Sequence, residues 1–100
     1  MRESAVEKYL KQVVEKRLGG ECLKFTSPGR RHVTDRIVIL PGGEVWFIET
    51  KAPGKTPRPG QVRFAKRLKE LGALHATLDS KSKIEDWAVA PVEEGWRNLL

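Results

Sequence analysis

Two carboxylates and a lysine border two neighbouring apolar segments of this chain. Asp35 precedes the apolar run 36–40, whereas Glu49 and Lys51 follow the apolar run 45–48, and a Pro-Gly-Gly segment joins the runs. Such a turn between two β-rich runs is typical of a hairpin. Because side chains alternate along a strand, Glu49 and Lys51 point to the same side, and antiparallel pairing brings Asp35 beside them. Buried charges need partners, so the pattern predicts a divalent-cation site with a cationic helper.

The composition predicts one small globular domain, spanning residues 1–100. The chain has 39% hydrophobic and 32% charged residues, which is ordinary for a globular protein. No apolar run approaches the roughly 20 residues of a membrane span, and the N-terminus has no secretory apolar region. A lone cysteine, Cys22, excludes an internal disulfide and is expected in the core. These features favour a cytoplasmic protein that does not bind a membrane.

The positive charge predicts a polyanionic partner. The net charge is +6 and the isoelectric point is about 9.8, and basic residues flank the predicted acidic site on both sides. A metal site inside a basic rim suits phosphodiester chemistry, although the same charges could serve solubility alone. The predicted DNA-binding residues are Arg30, Arg31, His32, Arg36, Lys55 and Arg58.

Hydrophobic periodicity predicts the order α-β-β-β-α-β-α. An α/β fold follows, with a central mixed sheet flanked by helices on both faces. His75 alternates with apolar neighbours in the last strand and is expected to have a structural or solvent-facing role. The predicted helices are 3–18, 60–71 and one that begins at Asp79 or Ser80, and the predicted strands are 21–26, 36–40, 44–51 and 73–78.

The motifs in this order resemble the virus-type replication-repair nucleases (VRR-NUC) of the PD-(D/E)XK superfamily. The resemblance rests on Asp35-Arg36 opening a strand, the Pro-Gly-Gly turn, Glu49-Thr50-Lys51, and Gln61 opening the next helix, with Glu3-Ser4 at the head of the first helix. It covers roughly residues 3–80. It implies a restriction-endonuclease-like α-β-β-β-α-β core.

The resemblance also implies a metal-binding set. Asp35, Glu49 and the main-chain carbonyl of Thr50 would bind Mg²⁺ or Mn²⁺. Glu3 would reach the metal through a water or bind a second ion, and Glu7, one helical turn further on, is the rival for that role.

Catalytic roles follow from the same resemblance for Lys51 and Gln61, which would act with the carboxylates Asp35 and Glu49. Lys51 would orient the attacking water or stabilise the charge that develops on the phosphate. Gln61 would hold Lys51 or that water.

The implied function is a metal-dependent, structure-selective DNA endonuclease of phage or prophage origin. A homodimer is expected, with the tail around Trp96 and Leu100 in its interface, and the implied substrate is Holliday-type or other branched DNA. Two positions depart from the family pattern, because Thr34 replaces a proline and His32 replaces a glycine. Two other hypotheses remain: a DNA-binding module with a decayed nuclease site, and an unrelated α/β protein whose basic rim contacts a protein or a membrane.

Overall fold

The computed structural model describes residues 2–26 and 35–89. Three helices, one π-helical turn and four strands follow one another in the predicted order, with bounds within a few residues of the expected ones. They are α1 (Glu3–Gln12), the π-helical turn (Val13–Arg17), β1 (Glu21–Lys24), β2 (Arg36–Leu40), β3 (Glu44–Thr50), α2 (Pro59–Glu70), β4 (Leu74–Leu78) and α3 (Lys81–Val89). Among these described residues, no helix has the length and apolar character needed to cross a membrane.

The four strands form one mixed sheet in the order β1-β2-β3-β4. The pairs β1–β2 and β2–β3 are antiparallel, and β3–β4 is parallel. Gly42 and Gly43 have φ angles of +92° and +84° in the turn between β2 and β3, a conformation that favours glycine. The predicted hairpin and the mixed sheet are therefore confirmed.

The core lies on the sheet face that carries α1 and α3. Trp46, Ile48 and Thr50 alternate along β3 and are fully or almost fully buried on this face. The rings of Trp46 and Trp87 meet edge to face, with centroids 5.7 Å apart. Cys22, as predicted, is buried in this core. The other apolar members of the core are Val6, Leu10, Val13, Val14, Val38, Leu40, Ala76, Leu78, Ile84 and Ala88.

The opposite face of the sheet is covered less completely. Helix α2 packs against β4 on this face. Leu23, Ile39 and Val45 occupy the same face on β1, β2 and β3 and are 47%, 38% and 37% exposed. Within the described part of the chain, apolar surface over these three strands therefore stays open to solvent.

The first helix differs from the expectation at its end. Helix α1 ends at Gln12, and the chain continues as a π-helical turn. The main-chain N–H of Leu18 donates to Val13 O at 3.0 Å at the end of this turn. The chain then enters β1 through Gly20, where an added Cβ would lie 2.3 Å from the main-chain oxygen of Ile39. The close approach of β1 to β2 therefore requires glycine at this position.

Candidate functional site

Asp35 is held at the end of the β2–β3 ladder by Thr50. The ladder pairs Arg36 with Ile48, so its continuation places Asp35 opposite Glu49. The main-chain N–H of Thr50 donates to Asp35 Oδ1 at 3.2 Å, and its hydroxyl donates to Oδ2 at 2.9 Å. Thr50 thus enters the site through its amide and hydroxyl, which fix Asp35. Its predicted role as a carbonyl ligand stays a prediction.

Two glutamates of α1 join Asp35 in an acidic cluster. Glu3, Glu7 and Asp35 each offer a carboxylate oxygen, and these oxygens lie within 4.8 Å of one another. Glu7 contacts the Thr50 hydroxyl at 3.2 Å and accepts a hydrogen bond from Arg36 Nη2 at 3.2 Å. The sequence left Glu3 and Glu7 as rivals, and the structure brings both of them to Asp35.

Glu49 lies beside this cluster and has its own partners. Its side chain is only 7% exposed; Gln61 Nε2 donates to Glu49 Oε1 at 2.7 Å, and Lys51 Nζ lies 3.7 Å from the same oxygen. Glu49 and Lys51 therefore share one side of β3, as the alternation predicts. Glu49 is not one of the three carboxylates within 4.8 Å of one another, so its role as a metal ligand stays a prediction.

Gln61 contacts Glu49, a partner that the sequence did not indicate. Its side-chain oxygen accepts a hydrogen bond from the main-chain N–H of Arg58 at 2.9 Å, at the start of α2. The side-chain NH₂ group is therefore turned toward Glu49 rather than toward Lys51. Among the described residues, Gln61 positions the carboxylate and joins α2 to β3.

Burial and neighbouring negative charge raise the pKa values of Asp35 and Glu49. Burial, and then the charge of Asp35, raise the pKa of Glu49 to about 7, although Lys51 acts in the opposite direction. Burial also raises the pKa of Asp35; the hydrogen bonds from Thr50 oppose that rise, whereas the charge of Glu7 adds to it. Both shifts mean that the ionised forms of these carboxylates need additional positive charge.

The donor set fits a hard divalent cation. Ions of this kind bind carboxylate oxygens, and three such oxygens converge in the cluster of Glu3, Glu7 and Asp35. Among the described residues, Arg36 is the cation that forms an ion pair with this cluster, through Glu7. Within that part of the chain one guanidinium does not balance three carboxylates, and a divalent ion suits the arrangement.

Removal of the Glu49 charge is expected to change how stability depends on pH. The pKa of Glu49 is higher in the folded protein than in the unfolded chain, so the folded protein holds this proton more tightly. This difference stabilises the protein below the unfolded-state pKa, and the contribution is lost as pH rises through about 7. In chelator, the stability of the wild-type protein relative to Glu49→Gln should fall by about 2 kcal/mol between about pH 5.5 and 8.5. Urea unfolding at the two pH values measures this difference.

The burial of His75 also affects stability with pH, because it lowers the pKa of that imidazole to about 4. The contribution of His75 to the free energy of unfolding is the same in wild type and in Glu49→Gln, so it cancels when the two proteins are compared. Glu21→Gln, at an exposed position on β1, is the matched control and should keep the wild-type dependence. Parallel pH profiles for wild type and Glu49→Gln would contradict the expectation.

The predicted DNA-binding residues fall into three groups. Arg30, Arg31 and His32 lie outside the described residues, as does Thr34. Lys55 and Arg58 are exposed in the segment before α2, and the main-chain N–H of Arg58 contacts Gln61. The Arg36 side chain is only 16% exposed and pairs with Glu7, which favours a role in positioning Glu7 over contact with DNA.

The sequence reasoning missed most of the basic surface of α2. Segment 55–70 carries six basic residues and one acidic residue, a net charge of +5 in a chain whose total is +6. All six basic side chains are exposed, and none forms an ion pair within the described part of the chain. The charge count per segment would have revealed this surface. It consists of Lys55, Arg58, Arg63, Lys66, Arg67 and Lys69.

Comparison with known proteins identifies relatives across most of the chain. A protein of Acyrthosiphon pisum secondary endosymbiont phage 1, described as "Putative nuclease p44", is 49% identical over 81 residues, which cover 81% of this chain and 86% of that protein. A solved structure described as a VRR_NUC domain superposes with a TM-score of 0.79 at 35% identity, over 84% of this chain and 90% of that one. No family model matches the chain.

Proposed function

The chain belongs to the VRR-NUC family, and from this membership we propose that it is a divalent-cation-dependent DNA endonuclease of the PD-(D/E)XK type. The observation that carries the proposal is the convergence of Asp35, Glu3 and Glu7 beside the Glu49–Lys51 pair. Hydrolysis of a phosphodiester needs stabilised negative charge on the phosphate and an activated water. A carboxylate cluster next to a lysine ammonium is suited to both tasks.

The cation would be Mg²⁺ or Mn²⁺, held by carboxylates of the acidic cluster with Glu49 beside them. When bound, the ion supplies Lewis acidity, which lowers the pKa of a water and neutralises charge on the phosphate. Thr50 holds Asp35 through two hydrogen bonds, and Gln61 holds Glu49 through one. Arg36 holds Glu7 in the same way. These neighbours fix the carboxylates before substrate arrives.

Lys51 is the proposed electrostatic catalyst. Its ammonium lies 3.7 Å from Glu49 Oε1 and its side chain is 15% exposed. Because the ammonium is largely removed from water, its attraction for a developing phosphate oxyanion is screened less than at the surface. We assign Lys51 to stabilising that charge or orienting the attacking water.

The basic surface of α2 is proposed to bind the DNA backbone. Gln61 near the start of α2 contacts Glu49, so a duplex arm that enters the site can run along this helix. Replacement of both Arg63 and Arg67 by Gln should weaken binding to every duplex sequence and flatten the plot of log K against log salt. The slope should change by about 0.9 for each phosphate that the variant no longer neutralises. Fluorescence anisotropy over a salt series measures both effects.

A charge-matched pair, with one lysine on α1 and one in the π-helical turn, distinguishes this contact from an effect of net charge. Lys11 and Lys16 are exposed toward the C-terminal end of the first helical segment, and replacement of both by Gln removes the same two positive charges. This control is expected to keep the slope close to that of the wild-type protein. Equal slopes for the two double variants would contradict a DNA contact on α2.

Branched DNA, with four-way junctions first, is the proposed substrate, and a homodimer is the proposed active form. Two sites related by two-fold symmetry would cut two strands of one branch. The open apolar surface around Leu23, Ile39 and Val45 is suited to a second copy, because exposed apolar patches often mark interfaces. Trp96 and Leu100, placed in the interface by the sequence reasoning, lie outside the described residues. Sedimentation at micromolar concentration should give twice the chain mass, and a monomer would contradict the dimer.

A panel of labelled DNA substrates tests the proposed function. Four-way, flapped, linear duplex and single-stranded DNA would be incubated with Mg²⁺, with Mn²⁺ and with chelator. We expect nicks near the branch of the junction with either metal and none in chelator. Intact DNA of every form with both metals would reject the nuclease. Junction binding without cleavage would instead support a DNA-binding module with a decayed site.

A further inference from the structure

A groove between α2 and the edge strand β4 begins at the proposed active site. Its deeper part is a cavity of about 210 Å³, to which Glu49 and Gln61 contribute at one end. A shallower depression continues along α2 and shares three lining residues with the cavity. Those shared residues are Val62, Ala65 and Lys69.

The groove combines apolar, neutral polar and cationic groups. Val62 is 53% exposed and Ala65 is small, so α2 presents an accessible apolar wall. His75 and Thr77 come from β4, and burial together with nearby Lys69 keeps the imidazole neutral by lowering its pKa to about 4. Lys66 and Lys69 are exposed along the groove. Lys66 and Lys69 belong to the basic surface of α2, whereas the proposed function gives no role to Val62, Ala65, His75 or Thr77.

This lining matches the chemistry of a single nucleotide. Sites for single-stranded nucleic acid combine cations that track the backbone with surfaces on which a base can lie. His75 is only 4% exposed, so it contributes to the floor of the groove, and the accessible surface for a base is the apolar wall of α2. The deeper cavity has room for one nucleobase.

We infer that the α2–β4 groove receives an unpaired nucleotide adjacent to the phosphate that is cut. This inference rests on the proposed nuclease function. The base lies between Val62, Ala65 and the β4 side chains, and Lys66 and Lys69 contact the backbone. Removal of a base from the stack is least costly where it is already unpaired, as in a flap, and a pair beside the crossover of a four-way junction opens more easily than one inside a continuous duplex. The groove therefore favours branch points over continuous duplex DNA and provides a physical basis for structure selectivity.

Fluorescence of 2-aminopurine tests the groove directly. The analogue is placed at successive positions around the branch of a four-way junction and bound to Asp35→Asn, which keeps the DNA intact. One position next to the cleaved phosphate should change its emission several-fold on binding. Ala65→Leu, added to the same protein, fills the groove and should abolish that change. Failure of every position to respond would overturn the inference.

The second measurement is the rate of junction cleavage by Ala65→Leu in protein that keeps Asp35. Ala65→Leu should lower junction cleavage about tenfold, which is the effect expected when one base is no longer held. Ala5→Leu makes the same substitution at an exposed position of α1, away from the groove, and should cleave normally. Thermal unfolding should show that both variants fold. Lys69→Gln, an exposed change that does not alter the packing, should weaken junction binding and reduce the emission change.

The outcomes separate this inference from the proposed function. Normal cleavage and a normal emission change in Ala65→Leu would contradict nucleotide binding in the groove and would not affect the proposed nuclease function. Absence of cleavage by wild-type protein would reject the nuclease, whereas the emission change would still report a base in the groove.

Discussion

Replacement of Glu49 by Gln, or of Asp35 by Asn, is expected to lower DNA cleavage by about a thousandfold or more. Each change keeps the shape of the side chain and removes a negative charge from a buried site that suits a divalent ion. Single-turnover cleavage of a labelled four-way junction in Mn²⁺ measures the rate. Affinity for the junction in chelator should stay within about twofold of wild type, because the basic surface of α2 is unchanged.

Two exposed carboxylates provide matched controls for these substitutions. Glu21→Gln on β1 and Asp86→Asn on α3 make the same chemical changes at exposed positions. Both control variants should cleave at the wild-type rate. Glu49→Gln should also unfold at a higher urea concentration than wild type in chelator at about pH 8.5, because it removes a buried charge and its repulsion by Asp35. Cleavage by Asp35→Asn or Glu49→Gln within tenfold of wild type would reject the assigned site.

Lys51→Ala is expected to lower turnover by two to four orders of magnitude, roughly the range found for groups that stabilise a developing charge. The ammonium lies 3.7 Å from Glu49 Oε1 and supplies positive charge beside that carboxylate. The variant should still bind Mn²⁺, as measured by calorimetry. The measurement belongs at about pH 8.5, because loss of Lys51 raises the pKa of Glu49 further and favours its protonated form.

Lys55→Ala is the control for lysine removal, since Lys55 is exposed and lies four residues further along the chain. It should weaken DNA binding slightly and leave the single-turnover rate at saturating protein unchanged. Lys51→Arg keeps a positive charge and should recover part of the lost rate. Turnover by Lys51→Ala at the wild-type rate would refute the role assigned to this ammonium.

The sequence by itself determined the strand that carries the site. Alternation places Glu49 and Lys51 on one side of β3, and the turn glycines fix where β2 reverses into β3. With that register, the start of β2 must lie beside the end of β3, so Asp35 meets Glu49 and Thr50. These relations depend on a repeat of two residues and on turn chemistry, both of which act over a few residues.

Only the tertiary structure decided which side chains from the helices meet that strand. Glu3 and Glu7 both reach Asp35 because α1 packs its apolar face on β3. Arg36 turns toward Glu7 instead of solvent, and Gln61 contacts Glu49 because the start of α2 lies beside the end of β3. The groove between α2 and β4 likewise depends on how the helix lies on the sheet. Such placements follow from packing between segments far apart in the chain, which local periodicity does not encode.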